Sequence, residues 1–185
     1  NDLVGSTYQE SLQYPSLNIR GMQSGWVGKE ARTIIPSSAT AEMDIRLVLE
    51  SKPEMLISSI KNHIEGLGYT VLDHTPTSDE RLQYDKIIQM KAKVHYPAFR
   101  TDSKAKEGQW LTKILNDYYQ KSPVIIRTSG GSVPISPFVS QLGVPAIGVP
   151  TVNLDNNQHS PNENLRLGNY FMGIESFIAI LTSSF

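Results

Sequence analysis

The amino-acid sequence predicts an α/β protein whose two parts are built differently. Strict alternation of apolar and polar residues along 38–49 indicates a strand with one buried face, typical of an antiparallel sheet covered by a helix on one side. The apolar runs 124–126 and 144–149 alternate with helical patterns and indicate a parallel sheet buried on both faces. The pattern changes after Tyr96-Pro97, where we place the boundary between the two parts.

The first part, residues 1–95, is predicted to be a small antiparallel sheet with a helix on one face. Its elements are expected in the order β-β-α-β-β, around 17–20, 38–49, 51–68, 69–72 and 88–94. A glycine-bearing loop over 21–28 joins the first two strands. The helix is expected to begin at Ser51-Lys52-Pro53-Glu54, a capping-box pattern with proline in the first turn, and to be closed by Gly66 and Gly68.

The second part, residues 96–185, is predicted to alternate apolar strands with helices. Asp102 is expected to cap a helix whose apolar stripe runs from Trp110 to Tyr118. Residues 134–142 can form a second helix between the two apolar runs. The last helix has the strongest pattern, with six apolar side chains on one face: Tyr170, Phe171, Ile174, Phe177, Ile178 and Leu181.

Composition excludes several classes of protein. The 185 residues, 39% of them hydrophobic, are enough for a real core in one domain or two small ones. A mean hydropathy of −0.27 and the lack of a long apolar run exclude disordered and membrane-spanning chains. A net charge of −1 gives no electrostatic reason to expect nucleic acid or a membrane as partner. The absence of cysteine excludes disulfides and thiolate metal sites.

The segment from Arg127 to Ile135 is the first candidate site, because it lies between a predicted strand and a predicted helix. Ligands bind outside the carboxyl ends of the strands in a parallel sheet. Gly130 and Gly131 would let a ligand approach the backbone beside the Ser132 hydroxyl. A tight turn without any function explains the same residues equally well.

His159 is the second candidate, on a loop between the apolar run 144–149 and the last helix. Ser160-Pro161 with Glu163 is expected to start that helix, which would place His159 just before its N-terminus. Neutral imidazole is a common zinc ligand, but zinc needs three or four ligands, so the spacing alone favours an ordinary histidine. The other three histidines form no ligand pattern and are expected to be structural.

Arg46 is the third candidate, together with Thr33. Arg46 lies on the polar face of the strand 38–49, where its guanidinium could hold a substrate carboxylate through two hydrogen bonds. A solvated ion pair with Glu42 or Asp44 is the simpler interpretation of the same position.

A catalytic triad of Ser132, His159 and Asp155 is disfavoured. The turn that carries a nucleophilic serine needs a glycine two residues later, and here Val133 and Pro134 follow the serine.

Taken in order, these segments resemble the zinc-dependent carnosinase/aminoacylase metallopeptidase superfamily, in its cytosolic dipeptidase branch, over about residues 16–170. The segments similar to the family's lid, or dimerisation, domain are Asn18-Ile19-Arg20-Gly21, Gly25-Trp26-Val27-Gly28, Arg32-Thr33-Ile34-Ile35-Pro36 and Asp44-Ile45-Arg46-Leu47-Val48. The segments similar to the last motifs of its catalytic domain are Gly130-Gly131-Ser132-Val133-Pro134-Ile135 and His159-Ser160-Pro161-Asn162-Glu163.

The resemblance implies an activity and a role for individual residues. Family members cleave the amide bond of dipeptides or acylated amino acids, with two zinc ions that share an activated water and a Glu as general base. His159 matches one zinc ligand of the family. The residues that match its substrate-binding groups are Thr33, Arg46, Gly130, Gly131 and Ser132. A homodimer through the lid and a cytoplasmic location are also implied.

The chain lacks most of the family's catalytic groups: a His-x-Asp motif, a bridging Asp, a Glu-Glu pair, a further acid and the lid histidine. We therefore expect a C-terminal portion only, with an incomplete lid over 1–95 and the last part of the catalytic domain over 96–185. The start at Asn1, with neither initiator methionine nor signal-type segment, agrees with a processed chain or a piece of a longer one. Such a portion is expected to be inactive alone and to leave apolar faces and sheet edges uncovered.

Two other functions remain open. One is a non-catalytic dimerisation or carboxylate-binding module. The other is an anion-binding domain that uses the Gly130-Gly131-Ser132 turn, although no lysine follows as in phosphate loops. The expected partner is a small peptide or acyl-amino-acid substrate, not nucleic acid or a membrane.

Overall fold

The computed structural model describes residues 4–185. Its helices are α1 Tyr8–Ser11, α2 Pro53–Gly66, α3 Ser78–Gln83, α4 Lys106–Tyr119, α5 Ser136–Leu142 and α6 Leu167–Thr182. Its strands are β1 Ser16–Ser24, β2 Ala39–Arg46, β3 Thr70–Leu72 and β4 Ile87–Gln89, and a short 3-10 helix covers Gly28–Glu30. The chain divides into two compact units. The first unit comprises the residues up to Phe99 with Gly130–Pro137, and the second comprises Arg100–Ser129 with Phe138–Phe185.

β1 and β2 form an antiparallel ribbon in the first unit, as the alternation predicted. The register runs from Ser16 opposite Arg46 to Ser24 opposite Ala39, and it shifts just before Gly21, where a β-bulge adds one residue to β1. β1 is longer than predicted, because its pairing continues through the first half of the segment expected to be a loop.

β3 and β4 form a separate sheet and run parallel. The expectation of a single antiparallel sheet is wrong here, because α3, absent from the prediction, crosses over between the two strands. Thr77 and Glu80 cap α3 reciprocally: the Thr77 hydroxyl accepts from the Glu80 N–H at 3.3 Å, and the Glu80 carboxylate accepts from the Thr77 N–H at 2.8 Å. The α/β fold class itself is confirmed, with both antiparallel and parallel strand pairs present.

α2 begins and ends close to the predicted residues. Its N-cap is Lys52 rather than Ser51, because the Ser51 hydroxyl instead accepts a hydrogen bond from the Val48 N–H at 3.4 Å. The closure by Gly68 is confirmed: its φ of +86° is a conformation that favours glycine and lets the chain turn back into β3.

α4 and α6 pack against each other in the second unit. The Tyr119 hydroxyl, at the end of α4, donates to the Met172 carbonyl at 2.9 Å and lies 2.7 Å from the Ser176 hydroxyl on α6. The Trp110 indole N–H donates to the Ser184 carbonyl at 2.7 Å, just beyond α6. No helix within residues 4–185 is long and apolar enough to cross a membrane.

The starts of α4 and α6 differ from the prediction. Asp102 does not cap α4, because its carboxylate accepts from the Lys104 N–H at 2.9 Å in the preceding turn, and Ala105 is the N-cap. α6 begins at Leu167 rather than near Ser160, because the residues before it form a hydrogen-bonded loop.

The runs 124–126 and 144–149, predicted as strands, pair with no other strand in the described part of the chain. A strand needs a hydrogen-bonded neighbour, and without one these runs are only extended segments. Their side chains are also uncovered: Val124 is 87% exposed and Ile125 57%. The prediction of strands at these two runs is therefore wrong for residues 4–185.

Apolar side chains throughout the described residues remain at least partly exposed, and none of them forms a fully buried core. The accessible surface is 14919 Å². Two compact domains of half this mass would together expose about 10,700 Å². The chain thus exposes roughly 4,000 Å² more than two self-contained domains would. This excess agrees with the expectation that apolar faces are left uncovered.

Candidate functional site

Arg46, the last residue of β2, lies at the centre of the candidate site. Its Nε donates to the Asp44 carboxylate at 2.6 Å, because residues two apart on a strand point to the same face. The neighbouring Glu42 is engaged elsewhere, in an ion pair with Arg20 at 3.1 Å. The interpretation of Arg46 as half of an ion pair is therefore correct for Asp44, and it leaves the other edge of the guanidinium available to further contacts.

Ser132 contacts that other edge. The Arg46 Nη1 donates a hydrogen bond to the Ser132 hydroxyl, which joins residues 86 positions apart in the sequence. The segment Gly130–Pro137 belongs to the first unit and is held there at its far end as well, because the Ser136 hydroxyl donates to the Pro97 carbonyl. Two predicted site residues are thus brought together.

The two glycines of this segment have different surroundings. A side chain on Gly130 would lie 3.3 Å from Leu12, so this position is closely packed. A side chain on Gly131 would meet nothing within 4 Å, so its backbone is open to a ligand. α5 begins only at Ser136, two residues later than predicted, which leaves 130–135 as a loop.

This arrangement suits the binding of a small carboxylate. A guanidinium has five N–H donors, and the contacts to Asp44 and Ser132 use two of them. The remaining donors and the Ser132 hydroxyl can hydrogen-bond carboxylate oxygens. The Arg46 side chain is 47% exposed, so a ligand can reach it from solvent.

Among the described residues, Thr33 forms no hydrogen bond with the site made by Arg46 and Ser132. It lies in the exposed loop between β1 and β2 and makes no hydrogen bond to Arg46 or Ser132 within residues 4–185. In the same loop the Arg32 guanidinium stacks 4.7 Å from the Trp26 ring centre.

His159 lies in the second unit, exposed, in the loop that precedes α6. Its φ is +63°, a left-handed conformation that is uncommon for residues other than glycine. Asn157 and Asn162 in the same loop are also left-handed, with φ of +57° and +64°. Such strain concentrates at functional sites and persists only where the surrounding structure holds it.

The residues present do not make a zinc site by themselves. Zinc sites use three or four protein ligands, and no group of three or more His, Asp or Glu side chains within residues 4–185 could hold a metal ion. His159 would be a single ligand, so the described chain does not fit two zinc ions.

His74 forms an ion-pair cluster that the sequence pattern did not reveal. Its two ring nitrogens each lie 3.0 Å from a carboxylate oxygen, of Asp73 and of Glu80. These hydrogen bonds, first to Asp73 and then to Glu80, raise the pKa of His74. The cluster ties the end of β3 to α3, which is a structural role, and the Thr77-x-x-Glu80 capping box is the sequence signal that could have located it.

Comparison with known proteins supports the resemblance. Residues 2–70 match the M20 peptidase dimerisation domain. This match covers the part of the chain that forms β1, β2 and α2. The resemblance to carnosinase-type metallopeptidases is thereby confirmed.

The relatives with similar sequences are dipeptidases. The chain is 26% identical over 178 residues to the Cys-Gly metallodipeptidase dug1 of Schizosaccharomyces pombe, which covers 92% of this chain and 34% of the relative. It is 24% identical over 170 residues to the Beta-Ala-His dipeptidase of Mus musculus, covering 90% of this chain and 31% of the relative. The chain therefore spans about a third of the length of the curated relatives it matches.

Solved structures share the fold. An M20 family metallo-carboxypeptidase, Sso-CP2 from Sulfolobus solfataricus, superimposes with a TM-score of 0.65 at 25% identity, over 93% of this chain and 36% of that one. The dipeptidase Dug1p of Saccharomyces cerevisiae superimposes with a TM-score of 0.66 at 24% identity, over 91% of this chain and 33% of that one. These likenesses extend over both units of the chain.

Proposed function

We propose that this chain is the C-terminal portion of a zinc-dependent metallohydrolase that cleaves the amide bond of dipeptides or acylated amino acids. Residues 1–95 would be an incomplete lid that dimerises with a second copy, and 96–185 the last part of the catalytic domain. The named relatives, which act on Cys-Gly and β-Ala-His peptides, support a small peptide with a free carboxylate as substrate. A cytoplasmic location remains a prediction from the resemblance.

The contact between Arg46 and Ser132 carries this proposal. Two segments that the resemblance assigns to substrate binding meet in one unit, although 86 positions separate them. We infer that Arg46 binds the substrate carboxylate, with Ser132 and the open backbone of Gly131 beside it. Gly130 would support the turn beside this site, Thr33 would reach the active site of a partner subunit, and His159 would supply one zinc ligand to a centre completed by other residues.

Replacing Arg46 by alanine should weaken the binding of a dipeptide by about tenfold, because a charge-assisted hydrogen bond to the carboxylate is lost. The probe is Gly-Gly, titrated into the chain and followed by NMR shifts at Ser132. Gly-Gly amide, which has no carboxylate, should bind as weakly to the unchanged chain as Gly-Gly does to the variant.

Arg20→Ala is the matched control, because Arg20 lies on the same ribbon and also pairs with a strand carboxylate. Its affinity for Gly-Gly should equal that of the unchanged chain. Equal binding of Gly-Gly and its amide, or an equal loss in both arginine variants, would refute carboxylate recognition by Arg46.

The chain alone should hydrolyse neither Cys-Gly nor β-Ala-His peptides, and it should retain less than one zinc ion after dialysis. The reason is that His159 stands without the two or three further ligands that tight zinc binding needs. Metal analysis of the dialysed protein measures this directly, with His159→Ala as the comparison. Two tightly bound zinc ions per chain would contradict the proposal.

A non-catalytic dimerisation or carboxylate-binding module is the second candidate, favoured by the dimerisation-domain match over residues 2–70. The two candidate functions differ in whether they require Arg46 and Ser132. A stable dimer whose properties are indifferent to both Arg46→Ala and Ser132→Ala would favour a module that only dimerises.

A further inference from the structure

Asn153 lies at the base of the loop that carries His159, and it is among the few buried polar residues of the described chain. Only 5% of its surface is exposed. It stands at the start of the loop, and Arg166, the N-cap of α6, stands at the end. We infer that Asn153 is a positioning residue that closes this loop and thereby fixes the backbone of His159.

The Asn153 side chain is fully engaged across the loop. Its Nδ2 donates to the Asp155 carboxylate at 2.9 Å and to the Asn164 side-chain oxygen at 3.1 Å. Its Oδ1 accepts from the Arg166 N–H at 3.0 Å. A side-chain amide has two N–H donors, so both are used, and one residue joins three others from the two ends of the loop.

The tip of the loop is folded by its own hydrogen bonds. The Ser160 N–H donates to the Asn157 carbonyl at 2.9 Å, and the Asn157 side chain donates to the Pro161 carbonyl at 3.0 Å. The Asn164 N–H donates to the Asn156 carbonyl at 2.8 Å, one step nearer the base. These bonds hold three left-handed residues, among them His159, but they depend on the two ends of the loop meeting.

Asn153 contributes more to closing the two ends of the loop than the ion pair between Asp155 and Arg166 does. Asp155 and Arg166 also pair, but both side chains are 64% exposed, and solvent-exposed pairs contribute little. The Asn153 side-chain donor is the largest cause that lowers the pKa of Asp155, ahead of a backbone hydrogen bond and the Arg166 charge. A buried amide with three partners is costly to leave unsatisfied.

Replacing Asn153 by leucine, which has a similar size and no hydrogen bonds, should open the loop. The amides of Ser160, Asn164 and Arg166 should exchange with deuterium about tenfold faster or more, because their closed loop is lost. The carbon chemical shifts of His159 should also move away from values typical of a left-handed residue. Asn153→Asp keeps the acceptor for the Arg166 N–H but places a second carboxylate against Asp155 in place of a donor, so it should also open the loop.

Ser176→Ala is the matched control, because Ser176 is a buried polar residue of the same unit, 8% exposed, outside the loop. It should leave loop exchange and the His159 shifts unchanged. Unchanged loop exchange in Asn153→Leu, or equal effects in the serine control, would overturn the assignment. Should Asn153→Leu unfold the unit, Asn153→Asp decides by the same measurements.

The role of His159 as a zinc ligand rests on the function proposed above. The exchange measurement that tests Asn153 does not depend on that function. Failure of Gly-Gly titration at Arg46 would refute the proposed function and leave the loop result standing. Failure of the exchange measurement would refute the role of Asn153 and leave carboxylate binding intact.

Discussion

Replacing Gly108 by alanine is expected to destabilise α4, because overpacking a closely packed site costs about 1–3 kcal/mol. The added Cβ would lie 2.4 Å from the Ser103 carbonyl oxygen and 2.9 Å from its carbon, closer than non-bonded atoms approach. Both are backbone atoms, so no side-chain rotation relieves the contact. The gain of about 1 kcal/mol in helix propensity offsets part of this cost and leaves a net loss of up to about 2 kcal/mol. Hydrogen exchange of the α4 amides measures the loss.

Gly168→Ala provides the matched control for that substitution. Gly168 lies in α6 of the same unit, and a Cβ there would meet nothing within 4 Å. Its replacement should change the stability by less than about 1 kcal/mol, and in the stabilising direction. If the α4 amides of Gly108→Ala were as protected from exchange as those of the unchanged chain, the prediction would be wrong. The turn over 103–108 would then have moved to make room for the added Cβ.

The isolated chain should bind a hydrophobic dye and should associate as its concentration rises. The physical reason is the exposure of apolar side chains on α6, such as Phe171 at 58% and Leu181 at 82%, where contiguous apolar patches favour contact between molecules. Sedimentation velocity at several concentrations should give masses above the 20.6 kDa of one chain.

Leu181→Glu should reduce this association, because it places a charge in the apolar patch of α6. Leu82→Glu is the matched control: Leu82 is a leucine 88% exposed, but it stands on α3 among polar residues. The control should associate like the unchanged chain. A monomer at every concentration without dye binding, or equal effects of both substitutions, would contradict this account of the exposed surface.

Local patterns predicted the elements whose apolar residues recur at a regular spacing along the chain. The alternation over 38–49 predicted β2, and the apolar stripe after Pro53 predicted α2. The prediction failed where the outcome depends on a partner distant in the chain. The run 144–149 has the composition of a buried strand, but composition cannot supply a neighbouring strand. β4 turned out parallel because the short helix α3, marked only by Thr77 and Glu80, intervenes.

The candidate site shows the same division. The motifs in the sequence identified Arg46 and Ser132 as candidate site residues. They did not indicate that the two side chains form a hydrogen bond. The period-two spacing of Asp44 and Arg46 did predict an ion pair. Nothing in the sequence pattern marks Asn153, because its importance comes from burial and from three partners spread over 13 residues.

The return of Gly130–Pro137 to the first unit means that the two units are interleaved along the polypeptide. Every contiguous stretch of the chain that contains the whole first unit also contains residues of the second. A lid excised at Phe99 would keep Arg46 and Asp44 but would lose Ser132, and the guanidinium would then face water where the hydroxyl now stands. The contact between Arg46 and Ser132 therefore depends on the continuous polypeptide, and recombination between relatives that exchanges the chain at one crossover point between these residues would replace one of its two partners.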